Sequence, residues 1–491
     1  ELGIEEDTAD AIESQYYLRA RLSPAPPIPH VEPPAALTIN EQTVPLVTEI
    51  PYEKLWATLT DEQLRLVKRP ERGLMIVKGA AGSGKTIVGV RRIEHILAGQ
   101  LFGRRVLYLC YNKVLQGIVD QQLTEILGDL RRASRVEVTT AYRWMLGIAE
   151  RMMHSRLLGP ESRSEEGKAV EKGVAEEETA CASEARNSEV LTYSGIVRAN
   201  RADGGKLKEL ILQTLSGLDR PRRNDLPGKF LLEEFRDVIY GRGILSESDY
   251  LDPGGTPRRD IRAPLGWSVP FRPEDRGYVW GVFEKFDALC RERNVIMWES
   301  IPWRLLKILP ERPRDKREYD YIVIDEAQDL TPAMFKVVLR LQGESHDGIM
   351  VLGDAAQRLY RPAFRWVDTG LPPTGGHVSV LRRCQRSTRQ IVAVAQSVAE
   401  GMEKGLGEDL VYPDAADRDG PLPLLISAED QGMELQYLCE EIYRLLMDEY
   451  VPAASIAVLA GTRTLLEKVR SNLGEYGVPT EIYHGALETR Q

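Results

Sequence analysis

Gly79-Ala80-Ala81-Gly82-Ser83-Gly84-Lys85-Thr86 has the spacing G-x-x-x-x-G-K-[ST], and its residue types suit one task, cradling the phosphates of a nucleotide. Backbone N–H groups of such a loop, and the start of the helix after it, point at phosphate oxygens, while the glycines permit torsions and close approaches that side chains forbid. Lys85 is then placed to bridge the β- and γ-phosphates, and Thr86 to ligate Mg2+. A second segment, Tyr321-Ile322-Val323-Ile324-Asp325-Glu326, ends an apolar run in two adjacent carboxylates. Asp325 suits the metal shell, and Glu326 suits a base that orients and deprotonates an attacking water. Asp-Glu also occurs at 61 and 448, so position at a strand end carries this reading, with a helix-capping cluster as the alternative.

Two weaker signals follow. Gly353-Asp354-Ala355-Ala356-Gln357 closes another apolar run, where the Gln357 amide could report the γ-phosphate to a moving part. In Arg382-Arg383-Cys384-Gln385-Arg386-Ser387-Thr388, Arg386 could reach the nucleotide across a cleft and stabilise transition-state charge; a solvated basic turn is the alternative. The five cysteines, Cys110, Cys181, Cys290, Cys384 and Cys439, and the six histidines are scattered, without the spacing of a disulfide framework or a zinc site.

The elements that must position these groups are short apolar runs: Leu74–Val77, Val106–Leu109, Val136–Val138, Tyr321–Ile324, Ile349–Leu352 and Val378–Leu381. Runs of that length, each followed by turn or helix signals, predict buried parallel strands of an α/β sheet. After Thr86, the residues Val90, Ile93 and Leu97 fall on one helical face, with arginines expected opposite. Thr331-Pro332 sets a capping hydroxyl and a first-turn proline before Met334, Phe335 and Val338. Between residues 138 and 321 lies far more chain than a crossover needs, so an insertion is expected. Its Glu-rich part, Glu161–Glu189, reads as a solvated helix or a disordered stretch. The part from 229 to 308 reads as a mainly helical subdomain, with Leu231, Phe235, Val238 and Ile239 at helical spacing and Trp267, Trp280, Trp298 and Trp303. Core packing is the favoured reading of those tryptophans, and stacking on bases the other. Beyond residue 385, Ile391, Val394 and Val398, then Leu435 to Leu445, predict helices, while 422–426, 456–459 and 480–483 predict strands.

Composition bounds the class. The 491 residues, 43% hydrophobic and 28% charged, suit several soluble domains, and no apolar stretch approaches the roughly 18 residues of a membrane span. The net charge of −10 argues against coating DNA by bulk charge, yet permits a local cationic groove. With no basic-then-apolar leader in Glu-Leu-Gly-Ile-Glu-Glu-Asp, an intracellular, prokaryotic cytosolic or nucleoid location is expected.

Taken in order, the motifs resemble the UvrD/Rep-like family of superfamily one DNA helicases, over about residues 59–145 and 318–483. Leu59-Thr60-Asp61-Glu62-Gln63 is similar to the family's Q motif, implying that Gln63 reads the adenine edge. Ile324-Asp325-Glu326-Ala327-Gln328-Asp329 is similar to its I-D-E-x-Q-D signature, and Gly353-Asp354 through Gln357 to Tyr360 to its third motif. Arg386-Ser387-Thr388 resembles the fourth, which places Arg386 on the γ-phosphate. The resemblance implies that Asn112, Lys113, Thr140 and Tyr142 line a DNA track, with loop capping as their alternative role. Phe364, Arg365 and Trp366 stand displaced from the family's aromatic-arginine pair, as a base wedge with Tyr360 or as packing. Cys110 and Tyr111 depart from the family's aromatic and threonine, and Gln385 replaces its adenine-stacking tyrosine. The sequence ends after His484-Gly485-Ala486, where the fifth and sixth motifs are expected.

The resemblance implies tandem RecA-like domains with a helical insertion in the first. The expected division is 1–50, an arm with a Pro-rich linker; 51–145 and 311–380, the first motor domain; 146–310, the insertion; and 381–491, a partial second motor domain. The implied activity is ATP- and Mg2+-dependent 3′–5′ translocation on single-stranded DNA or a tailed duplex, with unwinding. The alternative is a helicase-like ATPase that remodels a partner complex without unwinding, held through the N-terminal arm or the Glu-rich insertion.

Overall fold

Short apolar runs with few polar residues cannot face water on either side, so parallel pairing inside a covered sheet is their stable state. The computed structural model describes residues 59–70, 73–98, 104–128, 135–157, 200–201, 204–217, 226–251, 275–309, 317–342, 346–354, 366–371, 377–406 and 418–482. The Pro-rich and Glu-rich segments, Trp267, Gln357, Tyr360, Phe364 and Arg365 lie outside these residues, as does the Trp366 side chain.

Helix α1 (Asp61–Val67) opens with a reciprocal cap, Gln63 N donating to Thr60 Oγ1 and Thr60 N to Gln63 Oε1. Strand β1 (Leu74–Gly79) runs through the glycine loop into α2 (Lys85–Ala98), β2 (Arg105–Cys110) into α3 (Lys113–Leu127), and β3 (Arg135–Thr140) into α4 (Ala141–Leu157). The insertion holds β4 (Asn200–Arg201), α5 (Gly204–Ser216) and α6 (Gly228–Glu233), which continues as a π-helical turn over Glu234–Tyr240. It goes on with α7 (Glu247–Leu251), α8 (Asp275–Glu292), β5 (Val295–Ile296) and α9 (Ser300–Ile308). The chain returns as β6 (Tyr321–Ile324), α10 (Pro332–Leu341), β7 (Ile349–Gly353) and β8 (Val378–Leu381). Last come α11 (Arg389–Leu406), α12 (Gln431–Met447) and α13 (Arg463–Glu475).

The six-stranded sheet has the order β3-β2-β6-β7-β1-β8 and every pairing is parallel. All six carboxyl ends therefore meet at one edge, with the glycine loop, Asp325 and Asp354 upon it. Alternate residues of each strand enter opposite layers. Ile76, Leu107, Leu109, Ile322 and Val351 pack with Trp144, Ile148, Ile301, Leu305 and Phe335. On the other face Val77, Val106, Tyr108, Val323 and Leu352 pack with Val88, Ile93, Val119 and Leu66. Thr331 caps α10 through the Met334 amide, with Pro332 in the first turn.

The insertion has its own core, in which Phe230, Phe235, Tyr240, Phe283 and Phe286 surround Trp280 and Trp303. Beneath the π-helical turn, Asp287 Oδ1 accepts from Tyr240 (2.9 Å) and from Arg304 (2.6 Å). Helix α9 serves both bodies: Ile301 and Leu305 lie in the sheet's core and Trp303 in the insertion's. Helix α4 runs through residue 145, and its Ile148 shares the sheet's core with Met145. Among the described residues no helix is long and apolar enough to cross a membrane.

Two expectations are corrected. The segments 422–426 and 456–459 form no strand, and neither do 480–482, Tyr483 being outside the described residues. Their apolar composition fits a pleated surface, but among the described residues no neighbouring strand pairs with them, and strand state depends on that neighbour. Leu424 stands 76% and Leu459 94% exposed. The helices expected there do form, and α12 and α13 share a small core of Leu435, Cys439, Ile442, Val469 and Leu473.

The second correction is Arg92, expected on the solvent face of α2 and found fully buried. Its guanidinium donates to Val67 O (2.7 Å), Pro70 O (3.0 Å), Arg69 O and Tyr321 Oη (3.2 Å). Carbonyls at the end of α1 have no partner within that helix, and Arg92 satisfies them while tying α1 to the sheet. Arg92→Met, which keeps the volume and strands these carbonyls, is expected to cost about 2–4 kcal/mol in urea unfolding. A cost under about 0.5 kcal/mol would contradict this role.

Candidate functional site

The loop from β1 to α2 closes on its surroundings through backbone that only glycine supplies. Gly82 and Gly84 have φ of +73° and +81°, a region side chains disfavour. A Cβ on Gly84 would fall 2.5 Å from Gln63 Nε2, and one on Gly82 would fall 2.9 Å from Arg386 Cβ. Gln63 donates through Nε2 to Ser83 O at 3.0 Å, so its amide, already capping α1 through Oε1, is engaged at both ends. Ala80 N donates to Leu381 O (3.2 Å) and Gln385 N to Gly82 O (3.0 Å), stitching the loop to β8 and the segment after it. Arg386, exposed, lies directly over Gly82.

Lys85 is buried and folds back on its own loop, its Nζ donating to Gly79 O (2.8 Å) and Ala80 O (3.2 Å), with Asp354 Oδ2 at 4.0 Å. Thr86 Oγ1 donates to Asp325 Oδ2 at 2.8 Å, which joins the glycine loop to the acid pair across 239 positions of sequence. The same oxygen accepts from Tyr108 Oη at 2.7 Å, and Asp325 Oδ1 accepts from Glu326 N at 2.9 Å. Burial, and then the charge of Glu326, push the Asp325 carboxyl up to about 6, against the pull of the Tyr108, Thr86 and Glu326 N–H hydrogen bonds. Burial likewise holds the Tyr108 phenol well above its ordinary range.

Glu326 adopts the left-handed conformation at φ +49°, uncommon for a residue other than glycine and found where a site holds backbone strain. Gln328 donates to Glu326 Oε2 (2.6 Å) and accepts from Asp354 N (3.0 Å). It thereby links the end of β6 to the end of β7.

These groups fit a magnesium nucleotide. Ser83 Oγ is buried in the loop without a hydrogen-bond partner, and Asp325 is a desolvated acid that a cation would favour. Among the described residues no group of three His, Cys, Asp or Glu could hold a metal by itself.

At the other end of the same edge, the register Cys110↔Thr140 sets the residues after β2 beside those after β3. Asn112 caps α3, its Oδ1 accepting from Leu115 N at 2.8 Å, so the capping role is the one its side chain performs. Lys113 is exposed and Thr140 buried. Tyr142 meets the edge of Trp298 with ring centroids 5.4 Å apart. Trp280 and Trp303 are core residues, whereas Trp298 is 41% exposed. Gln357 and Tyr360 lie outside the described residues, and of Trp366 the backbone alone is described, opening a short 3-10 turn to Thr369.

Tyr108 and Gln328 touch the acid pair without having been given a role by sequence reasoning, and of the tryptophans weighed for base stacking Trp298 is the exposed one among the described residues. Tyr108 sits in an apolar run, and its reach to Asp325 depends on β2 lying beside β6, which no local pattern shows. Gln328 stood in plain view within the acidic signature, one residue before a further acid, without a partner to give it a role.

Residues 273–368 match the UvrD/REP helicase N-terminal domain. Over 455 residues the chain is 23% identical to the ATP-dependent DNA helicase UvrD1 of Mycobacterium tuberculosis (strain ATCC 25618 / H37Rv), covering 89% of this chain and 51% of that protein. Over 220 residues it is 23% identical to the putative ATP-dependent DNA helicase YjcD of Bacillus subtilis (strain 168), covering 43% of this chain and 28% of that protein. Over 236 residues it is 24% identical to the exonuclease/helicase subunit RexA of Streptococcus pneumoniae serotype 4 (strain ATCC BAA-334 / TIGR4), covering 40% of this chain and 19% of that protein. The chain spans about half the length of the UvrD1 relatives it matches. The mixed α/β architecture with a parallel sheet is consistent with a RecA-like helicase fold. The matched segment contains both carboxylates after β6, and these relatives share a helicase description, so the chain is similar to UvrD/Rep-like superfamily one helicases.

Proposed function

We propose that this chain is the motor of an ATP-dependent DNA helicase that moves 3′ to 5′ along single-stranded DNA and unwinds duplex. The observation that carries the reading is the 2.8 Å bond from Thr86 to Asp325, which unites a phosphate-binding loop with an acid pair. Residues Gly79, Ala80, Ala81, Gly82, Ser83 and Gly84 offer backbone donors to phosphate, and Lys85 turns from its loop carbonyls to the terminal phosphates. Thr86 and Asp325 would hold Mg2+, which when bound neutralises charge between phosphate oxygens. Glu326, fixed by Gln328, takes the proton of the attacking water. Gln357 senses the terminal phosphate, and Arg386 approaches it from across Gly82. Gln63 supports the loop through Ser83; reading the adenine edge requires that it release one bond.

In this reading 51–145 and 311–380 form one RecA-like motor domain, 146–310 its insertion and 381–491 part of a second. Asn112, Lys113, Thr140, Tyr142, Tyr360 and Trp366 face the strand, joined by Trp298. Aromatic faces accept any base, and lysine accepts phosphate, so the grip is indifferent to sequence. The arm 1–50 or the Glu-rich part offers a contact for a protein partner, and the protein works in the cytosol or nucleoid of a prokaryote.

Lys85→Ala and Glu326→Gln are each expected to lower DNA-stimulated ATP turnover by at least about 100-fold without unfolding the protein. Turnover that persists in either rejects the assignment. On a 3′-tailed duplex the wild-type protein displaces the strand; hydrolysis without displacement favours the partner-remodelling alternative. Trp298→Ala is expected to weaken binding of an oligothymidylate about 5- to 100-fold while sparing an abasic strand. Equal losses on both strands contradict base stacking.

Without metal or nucleotide, Asp325 holds its proton to about 6 when folded and to about 3.9 when unfolded. The folded state thus binds more protons in that window, and the contribution of this group to stability falls as pH rises through it. At pH 7 Asp325→Asn is expected to stabilise the metal-free protein by about 1–3 kcal/mol and to remove stabilisation by Mg2+ and ADP. A lower thermal midpoint for Asp325→Asn in EDTA would overturn this.

A further inference from the structure

Tyr108 carries a hydroxyl into the layer beneath α2, whose core it shares with Val106, Val323, Met350, Leu352 and Val88. Burying a phenol hydroxyl among apolar groups is costly unless the hydroxyl is bonded, and this one donates to Asp325 Oδ2 at 2.7 Å. Geometry explains why this residue type reaches it. The register pairs Tyr108 with Val323, and Asp325 lies two residues beyond Val323, one past the end of β6. Strand rise puts that level about 6.6 Å away, a span that a tyrosine covers along the strand and that phenylalanine, lacking the oxygen, cannot close with a hydrogen bond.

A second observation shows that the path of the phenol is built. Gly89 of α2 faces it, and a Cβ there would lie 3.1 Å from Tyr108 Oη and 2.8 Å from Leu352 Cδ1. A side chain at Gly89 would therefore require Leu352 Cδ1 and the Tyr108 hydroxyl to shift, at a helix position where glycine is otherwise unfavourable by about 1 kcal/mol.

We propose that Tyr108 is a positioning residue for the divalent cation, setting the carboxylate plane of Asp325 so that Oδ2 is presented beside the Thr86 hydroxyl. The inference rests on the nucleotide reading above. Three donors fix the carboxylate: the Glu326 amide on Oδ1, and the Thr86 and Tyr108 hydroxyls on Oδ2. Thr86 is itself a proposed ligand, and its hydroxyl can donate to Oδ2 while a lone pair faces the cation. Tyr108 is then the one donor to Oδ2 that stands outside the proposed cation shell. Groups that orient a ligand in this way typically change metal affinity about 10- to 100-fold when removed.

The test is binding, not turnover. N-methylanthraniloyl-ADP is titrated with the protein in EDTA and in graded Mg2+, and free Mn2+ is followed by electron paramagnetic resonance in the presence of ADP. Tyr108→Phe is expected to raise the Mg2+ and Mn2+ concentrations needed about 10- to 100-fold, while affinity for the nucleotide in EDTA stays within about twofold. Gly89→Ala, which crowds the hydroxyl without removing it, is expected to shift the metal dependence in the same direction and by less. A thermal midpoint lowered in Tyr108→Phe with an unchanged metal requirement shows a packing role and overturns the proposal. Should Tyr108→Phe not fold, an unchanged metal requirement in Gly89→Ala overturns it. A wild-type protein that binds nucleotide without any metal dependence removes the nucleotide reading itself, whereas wild-type dependence shared by both variants removes the Tyr108 inference alone.

Discussion

Asp325 is a fully buried acid, placed at the end of an apolar strand and held by two hydroxyls and one backbone amide. Ionising a buried acid is expensive, and the neighbouring Glu326 adds to the cost. Such a group weakens the fold at neutral pH, and donors from several segments of the edge converge on it. Thr86 comes from the loop, Tyr108 from the adjacent strand, and Gln328 spans from Glu326 to the end of β7. The parallel sheet makes this convergence possible, because only parallel pairing delivers all its carboxyl ends to one place.

The same edge is extended sideways by the segment after β8. Backbone bonds from Ala80 and Gln385 make the glycine loop a partner of residues 381–385, and Gly82 lies beneath Arg386. Any group that changes the shape of the loop therefore acts on the start of the region containing α11 to α13. At the opposite end, Tyr142 and Trp298 meet where α4 leaves the sheet. Nucleotide chemistry and strand contact are thus proposed at two stations of one edge, and β2, β6 and β7 lie between the glycine loop after β1 and Tyr142 after β3.

The sheet was legible because its strands are continuous apolar runs, and all six lie within two residues of those runs. The glycine loop and both acids were legible because their residue types leave few other uses. Interactions between distant segments were not. Arg92 reads as a solvated face residue because binary patterning assigns charge to water, yet three carbonyls near α1 needed a donor. Tyr108 reads as core because strand order is not written locally. The segments 422–426 and 456–459 have strand composition, but a strand is a property of a pair, and among the described residues nothing pairs with them. Roles implied for Gln357 and Tyr360 lie beyond the described residues.

Helix α9 places Ile301 and Leu305 in one hydrophobic core and Trp303 in another, and Trp303 is further tied to Ile244 O at 2.6 Å. Close-packed interiors resist shear, because sliding one face opens voids on the other. A helix embedded on both sides behaves as a common axle, so the insertion and the sheet turn together. Relative motion is then cheapest at the connection from β8 to α11, where exposed side chains and a few backbone bonds span the joint.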